Sequence, residues 1–167
     1  MKIGIDINYS DISRAVRTEL KKKGYYIVDM SLEEKIIIGE EVFKKAILIN
    51  TSKLDFFLLV QINEEKENIK IYYKDKLSKD FSLKLQRKLR AIGINNINYN
   101  SGNKFYLMKN TEVPTVIIKI NLEKIEDKKE DLIKILISSL ESLKIWWFNY
   151  IFMIFYFYIL NTKSNYK

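Results

Sequence analysis

At 167 residues, 47% apolar and 30% charged, the chain is long enough for one domain with a real core and too apolar to be disordered. It has no cysteine, which excludes disulfides and thiolate metal sites, and no histidine, which removes the commonest metal ligand and the commonest general base together. The formal net charge of +8 comes from mixed charges whose longest basic run is Lys21-Lys22-Lys23, so it reads as a solvated lysine-rich surface and makes a nucleic-acid partner an unfavoured expectation.

Residues 3–7 (Ile-Gly-Ile-Asp-Ile) read as a short buried strand. The run is too short, and too soon interrupted by Asp6, to be the core of a signal peptide, so the expected address is the cytoplasm. Ile12, Ala15, Val16 and Leu20 follow at helical spacing, and Gly24 ends that helix where a left-handed backbone is needed. Residues 25–28 form a second predicted strand. A helical stretch covers 32–49, with a break expected near Gly39. Residues 56–60 are continuously apolar, as in a strand covered on both faces. Residues 69–73 give another strand. Ser78 is the expected cap of a helix whose stripe is Phe81, Leu85, Leu89 and Ile92. Late strands are predicted at 105–108 and 116–120, with Pro114 just before the second, where a missing N–H costs least. Leu132, Leu136, Leu140 and Leu143 mark a last amphipathic helix.

Strands alternating with helices predict an α/β domain over residues 1–143. Its three layers are a mostly parallel twisted sheet, of about five or six strands, and helices on both faces. The strands at 3–7, 56–60 and 116–120 are expected side by side. Sites in such folds form at the carboxyl ends of strands, which directs attention to the residues after Ile7, Val60 and Ile118. The sequence has no serine-nucleophile motif, phosphate-binding glycine loop or dinucleotide fingerprint. Glu64, Glu65 and Glu67 alternate with Lys66 in a predicted turn and read as solvated charges rather than metal ligands.

Three segments at those strand ends carry a family resemblance. Residues 105–119 run Phe-Tyr-Leu-Met-Lys-Asn-Thr-Glu-Val-Pro-Thr-Val-Ile-Ile-Lys: a polar turn with threonine, a proline, then an apolar strand. Residues 55–63 run Asp-Phe-Phe-Leu-Leu-Val-Gln-Ile-Asn, and residues 3–10 run Ile-Gly-Ile-Asp-Ile-Asn-Tyr-Ser. In this order and spacing, over about residues 1–143, the chain resembles the catalytic domain of zinc-dependent N-acetylmuramoyl-L-alanine amidases. These cell-wall hydrolases cut the amide between muramic acid and the first alanine of peptidoglycan. No single segment is specific alone; the ordered set carries the resemblance.

The resemblance implies a zinc held by two histidines and a glutamate, with one open position. The metal polarises the amide carbonyl and activates water, and a second glutamate at a strand end handles protons. In this sequence Tyr9 stands where the first histidine is expected, Gln61 where the second is expected, and Lys119 where the catalytic glutamate is expected. Asn63 matches the asparagine that closes the second segment. The loop that carries the glutamate ligand is shortened, and Asp11 is the only nearby carboxylate. Zinc is therefore expected to be lost. Read as residues alone, Tyr9 can pack at the sheet edge, Gln61 can bond a neighbouring loop and Lys119 can be solvated. Read through the resemblance, Tyr9, Gln61, Asn63 and Lys119 are residual ligand contacts. The expected function is that of a catalytically inactive amidase-fold protein binding peptidoglycan fragments or a protein partner. Two alternatives stand beside it: an active amidase with an atypical site, and a membrane-tethered interaction protein.

Residues 144–167 form a separate predicted segment. Its run 145–160 carries no charge, and as a helix it spans about 24 Å, short of the roughly 30 Å hydrocarbon core. Trp146 and Trp147 at one end and Tyr156 and Tyr158 near the other suit membrane interfaces. The sequence leaves three readings open: an apolar helix that anchors the chain to a membrane, an element packed on the domain or a partner, and a degenerate coding region.

Overall fold

The computed structural model describes residues 1–32 and 38–143, Ile38 by its backbone only. The predicted segment 144–167, with its apolar run, lies outside the described residues.

The elements are β1 (Lys2–Ile7), α1 (Ser10–Lys22), β2 (Tyr26–Asp29), α2 (Ile38–Thr51), β3 (Phe56–Glu64), β4 (Asn68–Tyr73), α3 (Lys76–Ala91), β5 (Ile97–Ser101), α4 (Tyr106–Asn110) and β6 (Thr115–Leu122). A short 3-10 turn, Glu126–Lys128, leads into helix α5 at residues 129–143. The strands form one sheet in the order β2-β1-β3-β6-β4-β5. All neighbours are parallel except β4 and β6. The expected trio lies side by side, with Ile5 opposite Leu58 and Leu58 opposite Val116.

Period-two alternation divides these strands between two cores. Ile3, Ile5 and Ile7 of β1, Phe56, Leu58 and Val60 of β3, and Val116, Ile118 and Ile120 of β6 face α1, α3 and α5. Those helices answer with Ile12, Val16 and Leu20, with Phe81, Leu85 and Leu89, and with Leu132, Leu136, Leu140 and Leu143. Phe56 and Phe81 meet with ring centroids 5.0 Å apart, within the range where tilted aromatic pairs attract. The intervening residues Phe57, Leu59 and Ile117 face Ala46 and Ile49 of α2 and Leu107 and Met108 of α4. Continuous apolar runs in β3 and β6 thus arise because each strand is roofed on both sides.

Local signals explain most boundaries. Gly24 has φ +80° and lets the chain turn from α1 into β2. Before α3, the Asp75 carboxylate accepts from the Ser78 backbone N–H at 2.9 Å, while the Ser78 hydroxyl accepts from the Asp75 N–H at 2.8 Å. Asp75 is therefore the cap, and Ser78, the residue expected there, completes a reciprocal capping box. The described part of α2 runs Ile38–Thr51 and contains Gly39; the stretch before it, residues 33–37, on which the expected break near Gly39 also depends, lies outside the described residues.

One predicted strand is corrected, and one strand that was not predicted is found. Residues 105–108 are not a strand; α4 is a five-residue helix over Tyr106–Asn110. Both edges of β6 are already taken, by β3 and β4, so no ladder position remains for this segment beside it. Its apolar residues Leu107 and Met108 are buried against α2 instead, and Gly102 makes room: a Cβ there would run into the Met108 sulfur. The unpredicted strand is β5, at the edge of the sheet beside β4. Its Ile97 and Tyr99 pack on the larger core while Asn98 and Asn100 are exposed. Among the described residues, no helix is long and apolar enough to cross a membrane.

Candidate functional site

The helical roof over the α2 side of the sheet stops short of the carboxyl ends of β3 and β6. Leu59 and Ile117 are buried beneath it; the next residues on the same face, Gln61 and Lys119, are only partly buried. The register aligns them. Gln61 of β3 lies opposite Lys119 of β6, Lys119 lies opposite Lys70 of β4, and Lys70 lies opposite Asn98 of β5. One row further out stand Asn63, Asn121 and Asn68. The Asn63 amide donates to the Asn121 carbonyl oxygen at 3.2 Å, and Asn121 donates to the Glu65 carboxylate at 2.7 Å. The result is an open polar face on which carboxamides flank two lysines paired across the β4–β6 ladder.

Asn8 fixes one edge of this face. β1 ends at Ile7, but the Asn8 backbone N–H still donates to the Val60 carbonyl at 3.3 Å. Its side chain then behaves as a further peptide group: Oδ1 accepts from the Ile62 N–H at 2.7 Å and Nδ2 donates to the Ile62 carbonyl at 3.0 Å. Gln61 sits between the two residues so held, and its backbone is kept extended past the end of the β1 ladder.

Beside Gln61 a cleft of about 520 Å³ opens between the ends of β1 and β3 and the helices α1 and α2. Arg14, Arg17, Ser31 and Lys45 help to line it. Lys45 is buried and reaches the Asp6 carboxylate at 2.5 Å and Glu41 at 3.0 Å. Burial alone would lower the Lys45 pKa, but the hydrogen bonds and charges of Asp6 and Glu41 outweigh it and hold the value above normal. Arg17 is paired with Asp29. The wall of the cleft is therefore charged and largely self-compensated.

Tyr9 also lies at the carboxyl end of the sheet, as the residue that caps the start of α1, but it is turned away from Gln61 and Lys119. Its ring packs on the larger core, and its hydroxyl donates to Glu126 Oε1 at 2.7 Å. Lys129 closes the group, bonded to Asp11 at 3.1 Å and to Glu126 at 3.3 Å. The hydrogen bond to the Glu126 carboxylate raises the Tyr9 pKa and lowers that of Glu126. A phenol held protonated in this way does not suit a metal, which needs the phenolate. The structure thus brings Gln61, Asn63 and Lys119 onto one face and places the Tyr9 hydroxyl elsewhere.

This donor set does not fit zinc. A phenol, a carboxamide and an ammonium offer none of the imidazole, thiolate or carboxylate ligands that zinc sites use. Among the described residues, no group of three or more His, Cys, Asp or Glu side chains could hold a metal ion. Gln61 and Lys119 were accessible to sequence reasoning through the resemblance. Lys70, Asn121 and Asn98 were not, because only the sheet register sets them beside Lys119. The alternation of Lys119 and Asn121 with Ile118, Ile120 and Leu122 was the one local sign of a strand with a single open face.

No family model matches the chain, and no curated relative matches it by sequence. Solved structures do resemble it. The catalytic domain of the CD27L endolysin targeting Clostridia difficile superposes with TM-score 0.71 at 14% identity, over 85% of this chain and 97% of that one. The catalytic domain of CwlV, an N-acetylmuramoyl-L-alanine amidase from Bacillus (Paenibacillus) polymyxa, gives 0.67 at 15% identity, over 86% and 99%. The CwlD amidase from Clostridioides difficile, in complex with the GerS lipoprotein, gives 0.66 at 18% identity, over 86% and 98%. The chain therefore has the fold of N-acetylmuramoyl-L-alanine amidase catalytic domains.

Proposed function

We propose that this chain is an amidase-fold protein that has given up zinc hydrolysis and binds peptidoglycan fragments at the carboxyl end of its sheet. The observation that supports this reading best is the row Gln61–Lys119–Lys70. At the matched positions a metal ligand has become an amide and a catalytic carboxylate has become an ammonium. An ammonium offers only donors where a carboxylate would accept a proton, and it repels a divalent cation. What survives suits binding rather than hydrolysis: amide donors and acceptors held in register, two cations, and a cleft of about 520 Å³ next to them. The test incubates the full-length chain with purified peptidoglycan. Binding without release of muramoyl-linked peptides supports the reading; release of such peptides by the wild-type chain supports the alternative, an active amidase.

A second reading, attachment to a protein partner, draws on the apolar surface of α2 and α4. Phe43 and Ile47, one turn apart on α2, are 53% and 49% exposed, and Tyr106 on α4 is 46% exposed. The CwlD relative was solved with a lipoprotein bound, so the fold tolerates a partner. In either case we place the chain in the cytoplasm, with residues 145–160 as the segment that meets a membrane.

A further inference from the structure

Lysine pairs directly opposite each other on antiparallel strands repel and cost stability. Lys70 and Lys119 are such a pair, on β4 and β6. Among the described residues, the buried Lys45 and the surface Lys22, Lys23, Lys129 and Lys134 all have carboxylates within 4.0 Å. Lys70 and Lys119 are in none of these ion pairs, which is also true of other surface lysines such as Lys53 and Lys76; what distinguishes them is that they face each other across the β4–β6 ladder. The carboxylate on the same open face, Glu65, is engaged by Asn121. The flanking residues in the row, Gln61 and Asn98, are carboxamides, which donate hydrogen bonds to an anion without neutralising the lysines.

From this we infer that Lys70 and Lys119, with Gln61 beside them, form a binding site for a carboxylate on the ligand. The inference rests on the reading that peptidoglycan fragments bind here and adds what part of them is gripped: the free carboxylate of the peptide arm. Two lysines opposite each other on neighbouring strands can each donate to one oxygen of the same carboxylate. The adjacent amide pairs with the peptide unit next to it, which a bare phosphate lacks. The open cleft on the other side of Gln61 leaves room for the rest of the fragment. The ligand's charge also offsets the repulsion between the two lysines.

The experiment is calorimetric titration of the full-length chain with N-acetylmuramoyl-L-alanyl-D-isoglutamine, with its methyl ester, and with inorganic phosphate. The acid should bind at least about tenfold more tightly than the ester, the size of one charge-assisted hydrogen bond. Added salt should narrow that gap. The gap should shrink in Lys70→Gln and vanish in the Lys70→Gln/Lys119→Gln double variant. Because the substitutions relieve repulsion, both variants should melt no lower than wild type, which separates lost binding from lost folding. The salt series tests the same point without any substitution. Equal binding of acid and ester overturns the carboxylate site while leaving fragment binding in place. Binding of neither overturns both. Phosphate binding that the lysine variants abolish, with no gap between acid and ester, assigns the pair to phosphate and overturns the inference.

Discussion

β3 and β6 each pass through two environments within a few residues. Over Phe57–Leu59 and Thr115–Ile117 every side chain is buried, pressed between the core of α1, α3 and α5 and the roof of α2 and α4. Two residues later, at Gln61 and Lys119, the inner face is still packed while the outer face opens. In the first region any change of shape disturbs a close-packed interior. In the second, a side chain can change from acid to base without disturbing the core. A fold whose stability and chemistry reside in separate regions can keep the one while the other is replaced, and that is the relation proposed here.

Substitutions that sharpen the contrast fall in a definite order. Phe57→Ala, in the covered region, should cost about 3–5 kcal/mol through lost burial and a residual cavity, read from the urea unfolding midpoint. Asp6→Asn should cost about 3 kcal/mol, because it strips the principal partner from the buried Lys45. A much smaller loss would mean that Glu41 alone satisfies that ammonium. Asn8→Ala, at the border between the regions, removes two hydrogen bonds to Ile62 and should cost about 1–3 kcal/mol. Lys119→Gln, on the open face, should be neutral or stabilise by a few tenths of a kcal/mol. If Lys119→Gln destabilised as much as Phe57→Ala, the separation into scaffold and site would be wrong.

Alkaline pH tests the covered region in another way. The folded pKa of Lys45 is raised, so its contribution is fully present below the unfolded value, about 10.4, and is lost as pH rises through the folded value. Tyr99 acts with the same sign: burial, with Tyr73 beside it, pushes its pKa up to about 12. Stability should therefore fall as pH climbs above about 10. The fall should be shallower in Asp6→Asn, where Lys45 has lost the partner that raised it. Unfolding midpoints that stay flat up to pH 12 in the wild type would contradict this assignment.

The covered region is also the part that was legible in the sequence. β3 and β6 announce themselves as apolar runs because burial on both faces leaves few polar positions, and β1 does so except at Asp6, which is buried against Lys45. The stripe Leu132, Leu136, Leu140 and Leu143 predicts α5 for the same reason: one face meets the sheet. The apolar segment 105–108 misled because a run of that length suits a strand or a helix equally. What decided it was that both sides of β6 are already paired, by β3 and β4, a non-local fact. β5 escaped notice because its exposed asparagines dilute the pattern. At the carboxyl end of the sheet, the family resemblance pointed to Tyr9, Gln61, Asn63 and Lys119 as expectations, and it gave no sign of Lys70 or Asn121, which the register sets beside Lys119 and Asn63. That Lys70 faces Lys119 depends on β4 running antiparallel to β6, and that the Tyr9 hydroxyl turns to Glu126 depends on how the chain returns after β6.

We propose that the fold shared with N-acetylmuramoyl-L-alanine amidase catalytic domains is used here without zinc. The most direct test is the metal content of the full-length chain, purified after incubation with zinc and measured by elemental mass spectrometry. The account predicts no stoichiometric zinc, and none gained or lost when Gln61 or Lys119 is replaced by alanine. One zinc per chain, lost on replacing Gln61, would contradict it.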